Sequence, residues 1–284
     1  NWFGSAKKNL LIPNQERFPK RHLNRLKKID HVLCKSQHAH DIFSDLGANS
    51  HFISFTSKDI HLDDEKPDYN KFFHLAGRST LKGTATILEL WGKHPEWPVL
   101  TIVQHQDNAP ENVPENVNLI AEYLPYDELI KLVNQNGIHL CTSLSEGWGH
   151  YIVEAMSCGA IVVTTDAPPM NELVTNERGV VVPFSNQEPR HLGTNFFVNP
   201  ELLEQAITKL IDEDISHKEA LAVNARQWFA KNHKLFLKAQ GTATPTFIIG
   251  KNTIYVPTEK CPHPVIFLIC LRKHVTPTKT KASQ

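Results

Sequence analysis

Glu146 and Glu154 stand eight positions apart with two glycines between them, in the stretch Ser143-Leu-Ser-Glu146-Gly147-Trp148-Gly149-His150-Tyr151-Ile-Val-Glu154-Ala-Met-Ser-Cys158-Gly159. Gly147 and Gly149 allow the tight turns of a ligand-facing loop. From His150 the apolar residues Ile152, Val153, Ala155 and Met156 recur at helical spacing, and Gly159 holds the C-cap position. The free backbone N–H groups at the start of such a helix form an anion site. A carboxylate does not bind phosphate directly, so the partners of Glu146 and Glu154 are hydroxyls, of a sugar ring or a ribose diol. The loop predicts a ligand carrying both phosphate and sugar.

The elements that must position these residues alternate strand and helix. The runs Ile138–Ser143 and Ala160–Thr164 are buried strands on either side of the loop and helix. Upstream, Phe72–Ala76 is a strand, and Gly77-Arg78-Ser-Thr-Leu-Lys82-Gly83 leads from it into a helix with Ile87, Leu88, Leu90 and Trp91 on one face. Strands follow at Val99–Val103 and Val117–Ile120. Tyr123-Leu-Pro-Tyr126 then precedes Asp127, an N-cap for a helix from Glu128 to Asn136 closed by Gly137. A strand at Gly179–Pro183, a helix opened by Asn199-Pro200 and a last helix from Lys218 to Lys238 complete the series. The pattern is α/β with a parallel sheet, in which ligands bind at the carboxyl ends of strands. That rule brings the Gly77–Gly83 loop, with its cations Arg78 and Lys82, beside Glu146.

Before this series lies a shorter one. Asn9–Pro13 is a strand with Asn14-Gln15-Glu16 at its carboxyl end; a helix from Arg21 to Ile29, a strand at His31–Ser36, a helix from Gln37 to Leu46 and a strand at His51–Phe55 follow. Asp63–Asn70 has the composition of a linker. The expected organisation is a partial amino-terminal α/β unit over 1–65, a complete Rossmann-like domain over 66–240 and an extension over 241–284, whose strand-like runs 246–249 and 265–271 carry no functional reading.

Thirty basic and thirty acidic residues cancel, which removes the electrostatic case for nucleic acid or an anionic membrane. The basic stretch Arg17–Lys28 reads as a solvated helix face. Five cysteines form no C-x-x-C pair and fit reduced, buried positions in a cytoplasmic protein. The sixteen histidines show no metal-ligand spacing, and no run reaches the length of a membrane span. The first residue is Asn1, so the sequence is expected to be a piece of a longer one.

The Glu146-Gly-Trp-Gly and Glu154-Ala-Met-Ser-Cys-Gly segments, followed by Pro169-Met-Asn-Glu172, resemble the Glu-x7-Glu signature of retaining GT-B glycosyltransferases of family 4. The resemblance implies a GT-B fold and transfer of a hexose, with retention, from a nucleoside diphosphate sugar to an unidentified acceptor. The donor is a substrate, and neither cofactor nor metal is implied. Glu146 is the catalytic candidate, contacting hexose hydroxyls by positioning and charge stabilisation rather than as a nucleophile. The donor-binding set is Arg78, Lys82, Gly147, Trp148, Gly149, His150, Tyr151, Glu154 and Tyr123. Within it, Glu154 holds the ribose, the glycine amides with Arg78 and Lys82 hold the diphosphate, and the backbone around Tyr123 faces the base. Trp148 and Cys158 also suit packing, and Glu172 fixes the loop from Asp166. Three departures stand out: the Arg78–Lys82 loop is one residue short, His150 and Tyr151 replace apolar or proline residues, and the amino-terminal unit is short. A nucleotide-sugar-binding module is therefore the alternative, and an epimerase using Glu16 a weaker one.

Overall fold

The computed structural model describes residues 8–239, together with the strands Thr246–Ile249, Asn252–Tyr255 and Ile266–Cys270. The amino-terminal part builds a small parallel sheet from β1 (Asn9–Pro13), β2 (His31–Cys34) and β3 (Ser50–Phe52). Between them lie α1 (Leu23–Leu26) and α2 (Gln37–Asp45). The helix expected over 21–29 contracts to a 3-10 turn and the single turn of α1. Its cations repel one another and only Leu26 is buried, so no apolar stripe holds a longer helix. α2 is better specified: Ser36 Oγ accepts from the Ala39 N–H at 3.1 Å, and Gly47 follows at φ 72°.

The larger sheet contains β4 (Asp68–Gly77), β5 (Leu100–Gln104), β6 (Val117–Ile120), β7 (Asn136–Cys141), β8 (Ile161–Thr165) and β9 (Val180–Val182). All pair in parallel, in the order β6-β5-β4-β7-β8-β9. The order reverses between β4 and β7, and a crevice opens at the carboxyl ends of such a switch. The connections carry α3 (Thr84–Lys93), α4 (Tyr126–Gln135), α5 (His150–Ser157) and α6 (Met170–Leu173). Alternate strand residues feed the two faces. Phe72, Ile102, Ile138, Leu140, Ile161 and Val163 share one core with Ile87, Leu90 and Trp91 of α3. Cys141 and Val162 pack with α5 on the other face.

Two boundaries differ from expectation for physical reasons. Asp68–Asn70, read as linker, extend β4. Asp127 sits in the first turn of α4, with Pro125 at the N-cap, and Gly137 lies inside β7 instead of ending the helix. A Cβ at Gly137 would stand 2.7 Å from the Asp68 carbonyl oxygen, so this glycine serves close strand approach.

Beyond β9 a hairpin of β10 (Phe184–Arg190) and β11 (Gly193–Val198) precedes α7 (Pro200–Asp212) and the long α8 (Ile215–Ala239). α8 returns to the segment after β3: Asn232 Nδ2 donates to the Phe55 carbonyl at 2.8 Å, and Arg226 Nη1 meets Asp59 Oδ1 at 2.8 Å. The segments 246–249 and 252–255 pair as β12 (Thr246–Ile249) and β13 (Asn252–Tyr255). The run expected at 265–271 becomes β14 (Ile266–Cys270), antiparallel to β1 at the edge of the small sheet.

Candidate functional site

The loop after β7 and the loop after β4 meet at the switch point. Leu144 N–H donates to the Leu81 carbonyl at 2.9 Å, and Thr142 Oγ1 donates to the Lys82 carbonyl at 3.1 Å. Gly83, at φ 73°, lies against Thr142 so closely that a Cβ would be 2.5 Å from its carbonyl oxygen. This contact delivers Lys82 to Glu146. Lys82 Nζ is 2.5 Å from Glu146 Oε1, which also accepts from Ser143 Oγ at 2.7 Å. Ser143 Oγ is 2.5 Å from the Tyr151 hydroxyl, and the Lys82 ammonium lies 3.5 Å from the centre of the Tyr151 ring. Both members of the ion pair are mostly buried, at 16% and 15% side-chain exposure, so removing either leaves the other a poorly solvated, unpaired group.

α5 begins after Gly149, at φ 101°. His150, its first residue, shares a hydrogen bond between Nδ1 and Ser57 Oγ at 2.9 Å. Burial, reinforced by Lys35, pushes its pKa down to about 4, so the imidazole is neutral near pH 7 and does not offer a cation to phosphate. Tyr151 is held neutral in the same way, burial raising its phenol well above the usual range. One turn on, the Glu154 carboxylate is half-buried and has no hydrogen bond or ion pair among the described residues. Burial pushes it up to about 7, with the more distant Lys58 opposing. Trp148 is 4% exposed and packs edge-on against Phe55, as expected of a packing residue; its indole N–H has no partner among the described residues.

Other predicted residues lie elsewhere. Arg78 is exposed and turns toward the loop after β5, with Nη2 2.8 Å from His105 Nε2 and 3.5 Å from Asp107 Oδ2. Arg78 and Lys82 thus share a loop and face different partners. Tyr123 stands 90% exposed after β6. Glu172 does not fix the Asp166 loop, which Asn171 Nδ2 holds at 3.0 Å. Its two carboxylate oxygens instead accept from the Gln37 and His38 N–H groups, at 2.7 and 2.8 Å, capping α2 from the opposite half.

From the amino-terminal side, Gln15 Nε2 donates to the Glu146 carbonyl at 2.8 Å, and Asn14 fills the space a Cβ on Gly147 would occupy. Lys35 Nζ donates to Asn14 Oδ1 and lies 5.5 Å from the centre of the Phe55 ring. Lys35 and Ser57 escape a reading from sequence. The one available signal for Lys35 is its place at the carboxyl end of β2. Cys34, Cys141 and Cys158 are buried free thiols. Among the described residues, no group of three or more His, Cys, Asp or Glu is disposed to hold a metal, and no helix is long and apolar enough to cross a membrane.

A parallel sheet in Rossmann order, with a glycine loop and the Lys82–Glu146 pair at its switch point, defines a Rossmann-like α/β class of domain. Residues 109–228 match the family described as Glycosyl transferases group 1. The matched span holds Glu146 and Glu154 and begins after Arg78 and Lys82. Comparison with curated proteins finds no significant match. Among solved structures, TarM is 18% identical, with TM-score 0.59 over 77% of this chain and 44% of that one. The pneumococcal O-GlcNAc transferase GtfA in complex with UDP and GlcNAc is 15% identical, with TM-score 0.58 over 77% and 46%. Anabaena HepE in complex with UDP-glucose is 19% identical, with TM-score 0.61 over 78% and 67%. The chain thus spans less than half the length of the first two. These likenesses establish the GT-B arrangement of Rossmann-like sheets expected from the sequence.

Proposed function

We propose that this chain is a glycosyltransferase that moves a hexose, with retention, from a nucleoside diphosphate sugar to a hydroxyl acceptor, without a metal and in the cytoplasm. The observation that carries it is Glu154: a half-buried carboxylate with no partner among the described residues, one turn into the helix that follows the glycine loop. A ribose diol supplies the missing donors. The family match over 109–228 and the UDP-bound neighbours support this reading and make uridine the first base to test. Lys82 and the Gly147–Gly149 amides hold the diphosphate, and Arg78 joins them by swinging from Asp107. Glu146, freed in part from Lys82, receives hexose hydroxyls.

In the transfer, the bond from the anomeric carbon to phosphate oxygen breaks and the acceptor oxygen bonds on the same face. The acceptor proton passes to the departing phosphate, and Lys82 offsets the charge that develops there. The test is to incubate the chain with UDP-glucose or UDP-N-acetylglucosamine and follow UDP release, with water as acceptor, and the released sugar's anomeric form by NMR. The reading predicts release of the α anomer, lost in Glu146→Gln. A β product contradicts retention. UDP-sugar binding without release favours the alternative, a nucleotide-sugar-binding module.

A further inference from the structure

The turn after β1 places two polar side chains at the Glu146 loop that the proposed reaction has not used. Gln15 is 1% exposed and Glu16 5% exposed. Gln15 Oε1 and Glu16 Oε2 are sealed from solvent and have no hydrogen-bond partner among the described residues. Beside them stands Lys35, 9% exposed, held by Asn14 and within electrostatic reach of both Glu16 and Glu146. Two orphan acceptors next to a buried ammonium call for a ligand that donates through several hydroxyls and accepts through the same oxygens. A sugar ring has that chemistry; a phosphate lacks the donors and an apolar group lacks both.

Resting on the donor assignment above, we propose that Gln15, Glu16 and Lys35 form the amino-terminal wall of the pocket for the transferred sugar, opposite Lys82 and Glu146. Gln15 Nε2 already ties the turn to the Glu146 carbonyl, which fixes the spacing of the two walls. The tip of the β10–β11 hairpin covers the turn from outside: Leu192 N–H donates to the Gln15 carbonyl at 3.3 Å, and a Cβ on Gly193 would stand 3.1 Å from Glu16 Cα. Burial raises the Glu16 carboxyl above its usual range, as expected of an acceptor group awaiting donors.

The test is calorimetric titration of the native chain, Glu16→Gln and Lys35→Met with UDP, UDP-glucose and UDP-N-acetylglucosamine, with thermal melts confirming that each variant folds. The wall predicts that both variants weaken at least one UDP-sugar by about tenfold or more while UDP affinity stays within about twofold. Equal weakening of UDP and UDP-sugars, or no change in either, overturns it by showing a structural role or none. Failure of the native chain to bind any of the three ligands overturns the uridine donor site itself, a result distinguishable from loss confined to the variants.

Discussion

At the residue scale, the site sets two carboxylates in different environments. Glu146 is charge-compensated by Lys82, whereas Glu154 meets burial with no partner of its own among the described residues. Burial raises the Glu154 pKa from 4.5 to about 7, so the folded chain holds its proton over a window in which the unfolded chain has lost it. Its contribution to stability is therefore present below about pH 4.5 and lost as pH rises through about 7. Glu154→Gln should stabilise the chain by about 2 kcal/mol at about pH 8 and leave it nearly unchanged near pH 4.5, as read by urea unfolding. Equal effects at both pH values would contradict the burial account. Part of this geometry was legible in the sequence. The Lys82–Glu146 meeting followed from two loops at the carboxyl ends of adjacent parallel strands. The direction of Arg78 did not, because His105 and Asp107 reach it through a fold contact that no local spacing encodes.

At the scale of elements, glycines and caps fix how loops are presented. Gly83 and Gly159 share a left-handed backbone, at φ 73° and 71°, but only Gly83 faces another backbone; nothing lies within 4 Å of a Cβ at Gly159. Gly159→Ala should cost about 1 kcal/mol of backbone strain, and Gly83→Ala about 1–3 kcal/mol more, since Thr142 must move. Matching unfolding midpoints for the two variants would refute the close approach that seats Lys82. Glu172 gives a second case. Its loss in Glu172→Ala should cost about 1 kcal/mol and speed amide exchange at Gln37 and His38. Unchanged exchange there would mean the cap does not persist in solution. Neither the cap nor the β10–β11 hairpin was legible. Glu172 and α2 lie far apart in the sequence, and the exposed residues of β10 are too polar to show a strand pattern against the buried runs of the large sheet.

At the scale of the whole molecule, fold class was the most legible feature. Apolar strands and amphipathic helices alternate along the larger sheet, and a parallel sheet with right-handed crossovers leaves few arrangements. The same burial that makes the strands readable shapes the pH response. His74, His139 and His150 are all pushed down to about 4 by burial, so they fold neutral and must be charged in the unfolded chain below about pH 6.5. Each withdraws up to about 3 kcal/mol as pH falls through that window, and the raised carboxyls of Glu16 and Glu154 return only part of it. Urea midpoints should therefore fall between about pH 7.5 and about pH 5, and an unchanged or higher midpoint at the lower pH would contradict the assignment of neutral histidines. The measurement that bears most directly on the account is calorimetric titration of the chain with a panel of nucleoside diphosphates, repeated with Glu154→Ala. Saturable binding of one nucleotide, weakened about tenfold or more in the variant, is the predicted result. Equal binding by the native chain and the variant, or none by a folded native chain, would contradict the nucleotide-sugar site.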